Sequence, residues 1–201
     1  MAYFRLLVGC IPEEKRFQFD RILGEIGLSL RDVHAGEIGK AVFADFKQVL
    51  YNTQDQIIPD IILNFSKTVR LSSLGILGYA IINSKNIEKA LQVSSRFSSL
   101  SYSNFDFQLF KNKDTAGIRL LDHLPSRLER EDFLCSKYNM LSSMLPPSTD
   151  LSRMHIYADY SLPSYETSYQ RFFKCSIQFD ASYLCIYFPA EWLKTTVNGA
   201  D

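Results

Sequence analysis

Near residue 100 the spacing of apolar side chains changes from a helical period to a strand period, and this change limits the folds open to the chain. Before it, Phe19, Ile22, Leu23 and Ile26 recur at i, i+3, i+4 and i+7, the apolar stripe of a helix over 13–26 that Gly27 should end. Val42, Phe46, Val49 and Leu50 repeat the pattern over 37–51, and Pro59 suits the first turn of a third helix reaching residue 69. After the apolar segment 74–82, Asn86 is placed to cap a helix carrying Ile87, Ala90, Leu91 and Phe97 on one side. The serine-rich stretch 98–104 reads as a loop and as the seam between two halves.

Beyond that seam, Phe105, Phe107 and Leu109, then Ala116, Ile118 and Leu120, alternate with their neighbours on either side of a turn at 111–114, which predicts a hairpin. Ser126 and Glu129 form a capping box before a helix with Leu134, Tyr138, Leu141 and Leu145 on one face, ended by Pro146 and Pro147. A strand over 151–158, a short helix opened by Pro163 and a second hairpin over 175–188 follow. The fold class expected is α+β: a helical N-terminal half, 1–98, packed on an antiparallel sheet with two helices in the C-terminal half, 104–201, together forming one domain.

Composition removes several functions. With 201 residues the chain buries roughly 70% of the surface of its unfolded form, so it needs neither metal nor disulfide as a staple. Its 22 Lys and Arg balance 22 Asp and Glu, and no basic arm stands out, which argues against direct binding to nucleic acid. The longest uncharged run of the first half, 71–84, is too short for a bilayer span, which takes about 20 residues. The start is a poor signal peptide, and four dispersed cysteines suit a reducing cytosol, so a cytoplasmic protein is expected.

Motifs for chemistry are scarce. His34, His123 and His155 stand apart without metal-ligand spacing, so neither metal nor other cofactor is expected. There is no GxSxG, P-loop or GxGxxG; Gly75 and Gly78 read as a bend or a close packing approach. A thiol hydrolase using Cys135 or Cys175 with a histidine is one alternative, although Cys175 and Cys185 lie in apolar, strand-like sequence where a thiol acts as a small hydrophobe. A ligand-free oligomerisation module is another.

Aromatic residues are the compositional excess, 15 Phe and 11 Tyr. Most of the Phe belong to apolar stripes and so to a core, whereas a tyrosine beside an apolar face offers a ring with a polar tip, useful in a pocket for an organic ligand. Arg119, in an apolar hairpin, is either on the solvent face of the sheet or a partner for a ligand carboxylate. Candidate lining residues are Tyr79, Arg119, His155, Tyr157 and Tyr169.

Two separated stretches carry a resemblance. Leu74-Gly75-Ile76-Leu77-Gly78-Tyr79-Ala80, then Ser84 and Ala90-Leu91, is similar to the GxLGYA…S…AL signature of the effector-binding N-terminal domain in one branch of the AraC-type bacterial transcription regulators. Tyr169, Phe172-Phe173, Cys175, Phe179, Ala181, Phe188-Pro189 and Leu193, with the trailing Gly199-Ala200-Asp201, resemble that branch's closing pattern. The chain departs from the family at Asn86 with Lys89, in place of a reciprocal Thr/Glu box, and at Tyr160, in place of a histidine before Pro163.

The resemblance implies a sensor and homodimerisation domain that binds a small organic effector, carries out no reaction on it, and acts on DNA only through a C-terminal domain with two helix-turn-helix units that these 201 residues do not include. Such a pocket is expected between the helical half and the sheet.

Overall fold

Gly27 adopts a left-handed φ of 71°, which a glycine takes without a Cβ penalty, and it sits where the first helical stripe runs out. Helix α1 (Glu13–Gly24) buries Phe19, Ile22 and Leu23. This computed structural model describes residues 8–35, 59–98, 105–121, 124 and 126–198, and the helix expected over 37–51 lies outside them. The chain divides into two compact units, Met1–Val69 and Arg70–Asp201.

In the first unit, helix α2 (Leu30–Ala35) opens on a reciprocal cap not anticipated from the sequence. The Asp32 carboxylate accepts from the Ser29 backbone N–H (2.8 Å) and hydroxyl (2.6 Å), while Ser29 Oγ accepts from Asp32 N–H (3.3 Å). Helix α3 (Ile61–Ser66) is shorter than expected: Pro59 precedes it, Asp60 occupies the cap position, and Ile61, Leu63 and Phe65 are buried.

The second unit begins with a 3-10 turn (Leu71–Leu74) and helix α4 (Ile76–Ile82), hinged at Gly75 with φ 60°. A Cβ on Gly78 would lie 1.8 Å from the Leu71 carbonyl oxygen, so the pair of glycines serves a bend and a close approach, as the sequence reading expected. Helix α5 (Ile87–Arg96) is capped by Asn86, whose side chain accepts from Lys89 N–H at 3.0 Å. Its buried face holds Ile87, Ala90, Leu91 and Ser94, whereas Phe97, expected on that face, is 42% exposed.

Five strands follow: β1 (Phe107–Lys111), β2 (Thr115–Leu120), β3 (His155–Tyr157), β4 (Ser176–Gln178) and β5 (Cys185–Pro189). Their order across the sheet is β1-β2-β5-β3-β4, antiparallel except for the pair β3 and β4. The first hairpin forms as its alternation predicts. The second does not: β3 inserts between β4 and β5, so those strands never pair. Their link folds around the end of β3 instead, with Asp180 at a φ of 54° and Ala181 N–H donating to the Ala158 carbonyl at 2.9 Å. Strand β3 is also shorter than expected, because Asp150 caps a 3-10 turn (Leu151–Arg153) in front of it.

The seam expected at 98–104 is not a boundary between compact units. Helix α5 belongs with the sheet: Ser95 Oγ donates to the Phe107 carbonyl at 2.8 Å and Lys111 pairs with Glu88 at 2.5 Å. Helix α6 (Arg127–Met144) lies along the sheet's buried side with Phe133, Leu134, Tyr138 and Leu141. Its cap departs from the expected box, since the Ser126 hydroxyl accepts from Leu128 N–H rather than from Glu129 N–H. Ile118, Ile156 and Ile186, from one cross-strand row, complete this core, each buried side chain contributing about 1.5–3 kcal/mol. The architecture is α+β, as expected.

Candidate functional site

Pleating sends each cross-strand row to one side of a sheet. On the side opposite the isoleucine row, one row runs Phe110, Gly117, Tyr187, His155 and Ser176, and the next runs Gln108, Arg119, Cys185, Tyr157 and Gln178. Three of the five candidate residues, Arg119, His155 and Tyr157, therefore share one face.

That face is tiled with rings. Phe110 meets Tyr187 edge to face with centroids 5.3 Å apart, and Tyr187 meets Tyr157 the same way, also at 5.3 Å. Tyr183, just before β5, tilts against Tyr157 at 5.7 Å and brings its hydroxyl to 3.3 Å from that of Tyr187. Each ring pair adds about 0.5–1.5 kcal/mol beyond its burial, so the rings hold one another in place. Gly117 makes room for the first of them: a Cβ there would lie 2.3 Å from Phe110 Cζ.

The polar groups sit around this tiling. The Arg119 guanidinium lies over the Tyr183 ring, 5.0 Å from its centroid, a cation–π contact that orients the fork. His155 Nδ1 is 2.6 Å from Ser176 Oγ across the parallel pair. Cys185 projects to the same side yet is fully buried beneath its neighbours. Burial pushes its thiol up to about 12, with Arg119 and a Tyr187 hydrogen bond pulling the other way. The Tyr187 phenol is raised, chiefly by its hydrogen bond with Tyr183.

The other two candidates lie elsewhere. Tyr79 is 71% exposed on α4, beside the similarly exposed Ile76. Tyr169 is buried on helix α7 (Glu166–Phe172), where its phenol donates to the Glu131 carboxylate of α6. Tyr165 donates to the same carboxylate at 3.0 Å, and Tyr160 lies 3.0 Å from the Tyr169 hydroxyl. Burial, and then the Glu131 charge, raise the Tyr160 and Tyr169 phenols.

Tyr183, Tyr187 and Phe110 were not anticipated as site residues. Tyr187 was within reach of strand alternation, since it falls out of phase with the buried Ile186 and Phe188; the position of Tyr183 depends on pairing between distant strands. Among the described residues no three His, Cys, Asp or Glu side chains converge on a metal position, and His123 lies outside them. No helix among the described residues is long and apolar enough to cross a membrane.

The thiols do not resemble activated nucleophiles. Cys175 is pushed up to about 12 by burial, and His155 is engaged with Ser176. Cys135 is fully buried.

A family model described as the arabinose-binding domain of AraC transcription regulators, N-terminal, matches residues 17–197. Over 161 residues the chain is 23% identical to the ornithine utilization regulator of Pseudomonas aeruginosa, a match covering 78% of this chain and 47% of that regulator. In three dimensions it is similar to the crystal structure of the transcriptional regulator CdpR from Pseudomonas aeruginosa. That likeness has a TM-score of 0.61 at 17% identity, covers 90% of this chain and 57% of the CdpR chain, and is one of fold alone. The chain thus spans about half the length of the relatives it matches.

Proposed function

Because the chain belongs to the family of arabinose-binding domains of AraC-type transcription regulators, we propose that it is the effector-sensing and homodimerisation domain of such a regulator. In this reading its 201 residues act as one functional domain in the bacterial cytoplasm, bind a small organic effector without reacting with it, and pass the binding on to an attached DNA-binding domain. The observation that carries the reading is the extent of the family match, from residue 17 to residue 197, across both compact units.

The ringed sheet face supports an effector site at Arg119, His155 and Tyr157. Rings already braced against one another lose little freedom on binding, and the polar groups among them supply orientation. An effector changes the regulator only by as much as it prefers one conformation over another, typically about 1–3 kcal/mol between coupled sites.

Thermal unfolding of the full-length regulator against a panel of amino acids, ornithine included, sugars and organic acids tests this reading. A true effector at 100 times its dissociation constant adds about 2.7 kcal/mol and alters operator binding in a gel-shift assay. Stabilisation by none of these compounds, with dimerisation intact by sedimentation, would favour a ligand-free oligomerisation module.

A further inference from the structure

We propose that the ringed sheet face selects a planar aromatic carboxylate, its acid group held by Arg119 and its ring laid against Tyr157 and Tyr187; the inference rests on the effector-sensing reading and names the class of compound. Charge is the first argument. The ten residues of the two cross-strand rows comprise one arginine, one histidine and no Asp or Glu. None of the ion pairs among the described residues involves Arg119, whose guanidinium rests on the Tyr183 ring instead. A guanidinium fixed against a ring presents a planar fork that matches a carboxylate with two parallel hydrogen bonds. A cationic ligand would find no counter-charge on these rows.

Shape is the second argument. Arg119 and Tyr157 occupy the same row with only Cys185 between them, two strand spacings and so about 10 Å apart. Between acid group and far ring lies a surface of aromatic faces and edges, on which a flat ring gains both burial and edge-to-face contact, whereas a flexible alkyl chain would lose conformational freedom to lie flat. The His155 and Ser176 pair borders the same face and offers a further polar contact to a ring substituent.

The test is a titration of the chain, ring-labelled at tyrosine, with benzoate, trans-cinnamate and indole-3-acetate, each against its neutral amide, followed by NMR. The expected result is saturable movement of the Tyr157, Tyr183 and Tyr187 signals, with at least one acid binding ten-fold or more tightly than its amide. In Arg119→Gln that preference should fall below two-fold, and Arg119→Lys should recover only part of it. Equal binding of acids and amides overturns the inference, as does saturation by decanoate at the same concentration as the aromatic acids, movement of Tyr160 and Tyr169 in place of the face tyrosines, or saturation by none of the three acids. Failure here is separable from failure of the effector reading. A full-length regulator stabilised by a non-acidic metabolite keeps that reading while sinking this one, and stabilisation by nothing in the wider panel sinks both.

Discussion

The Tyr169 phenol donates its proton to the Glu131 carboxylate, joining α7 to α6 through a fully buried charged group. Since Tyr169 has one proton and spends it there, Tyr160 is the donor in the bond between the two phenols. Tyr169→Phe should therefore cost about 1.5–3 kcal/mol, the range for a hydrogen bond to a charged group, measured by urea denaturation. Glu131→Ala, which strands the Tyr165 and Tyr169 donors, should cost more, and Glu131→Gln should fall between. A Glu131→Ala variant as stable as the parent would refute this account of the cluster.

Lys137 has its ammonium 4.4 Å from the centre of the Phe107 ring in the core, and burial lowers its pKa to about 8 despite the opposing pull of Asp132. The unfolded chain keeps that proton up to the ordinary lysine value near 10.5, so between about pH 8 and 10.5 it binds more protons than the folded chain, and stability from this group rises with pH by as much as about 3 kcal/mol. Lys137→Met should be more stable than the parent at pH 7, less whatever the cation–π contact contributes, and its advantage should shrink steadily from pH 8 towards pH 10.5. Denaturation midpoints of the two proteins at pH 7, 8.5 and 10 check this; an advantage that stays constant with pH would count against it.

Cys175 and Cys185, both near 12, hold on the order of one thiolate in ten thousand or fewer at pH 7.5. Iodoacetamide labelling of the folded chain, site-resolved by mass spectrometry, should be slower at both than for free cysteine and should accelerate at least a hundred-fold in denaturant. One thiol reacting rapidly in the folded state would revive a cysteine-dependent hydrolase.

Gly78→Ala places a methyl carbon 1.8 Å from a backbone oxygen, and neither α4 nor the turn before it yields as a side chain would. The loss expected is on the order of 3 kcal/mol or more. Gly24→Ala, at an α1 position with open space around it, should by contrast be neutral or mildly stabilising. Comparing the two melting temperatures checks the assignment.

What was legible in the sequence was local. Asn86 announces the start of α5 because a cap is a bond to a backbone group three residues away, and the first hairpin can be read because its two strands are separated by a short turn. The second hairpin expected over 175–188 does not form because β4 and β5 are adjacent in sequence but claimed by β3, whose three residues carry too little pattern to reveal it. The same non-local pairing hid the ringed face. Tyr157 and Tyr187 lie thirty positions apart in sequence, and only the register of β3 with β5 brings their rings together.

Gly117 gives the sheet face an unusual economy of control. The roughly ring-sized notch above it is what lets Phe110 lie down against Tyr187, so the residue with no side chain governs how far the aromatic surface extends. Any larger residue at 117 would lift Phe110 and roughen the surface without altering a single ring. The outline of this face is thus adjustable from beneath, by a one-atom change in a buried strand, with Arg119, Tyr157 and Tyr187 left as they are.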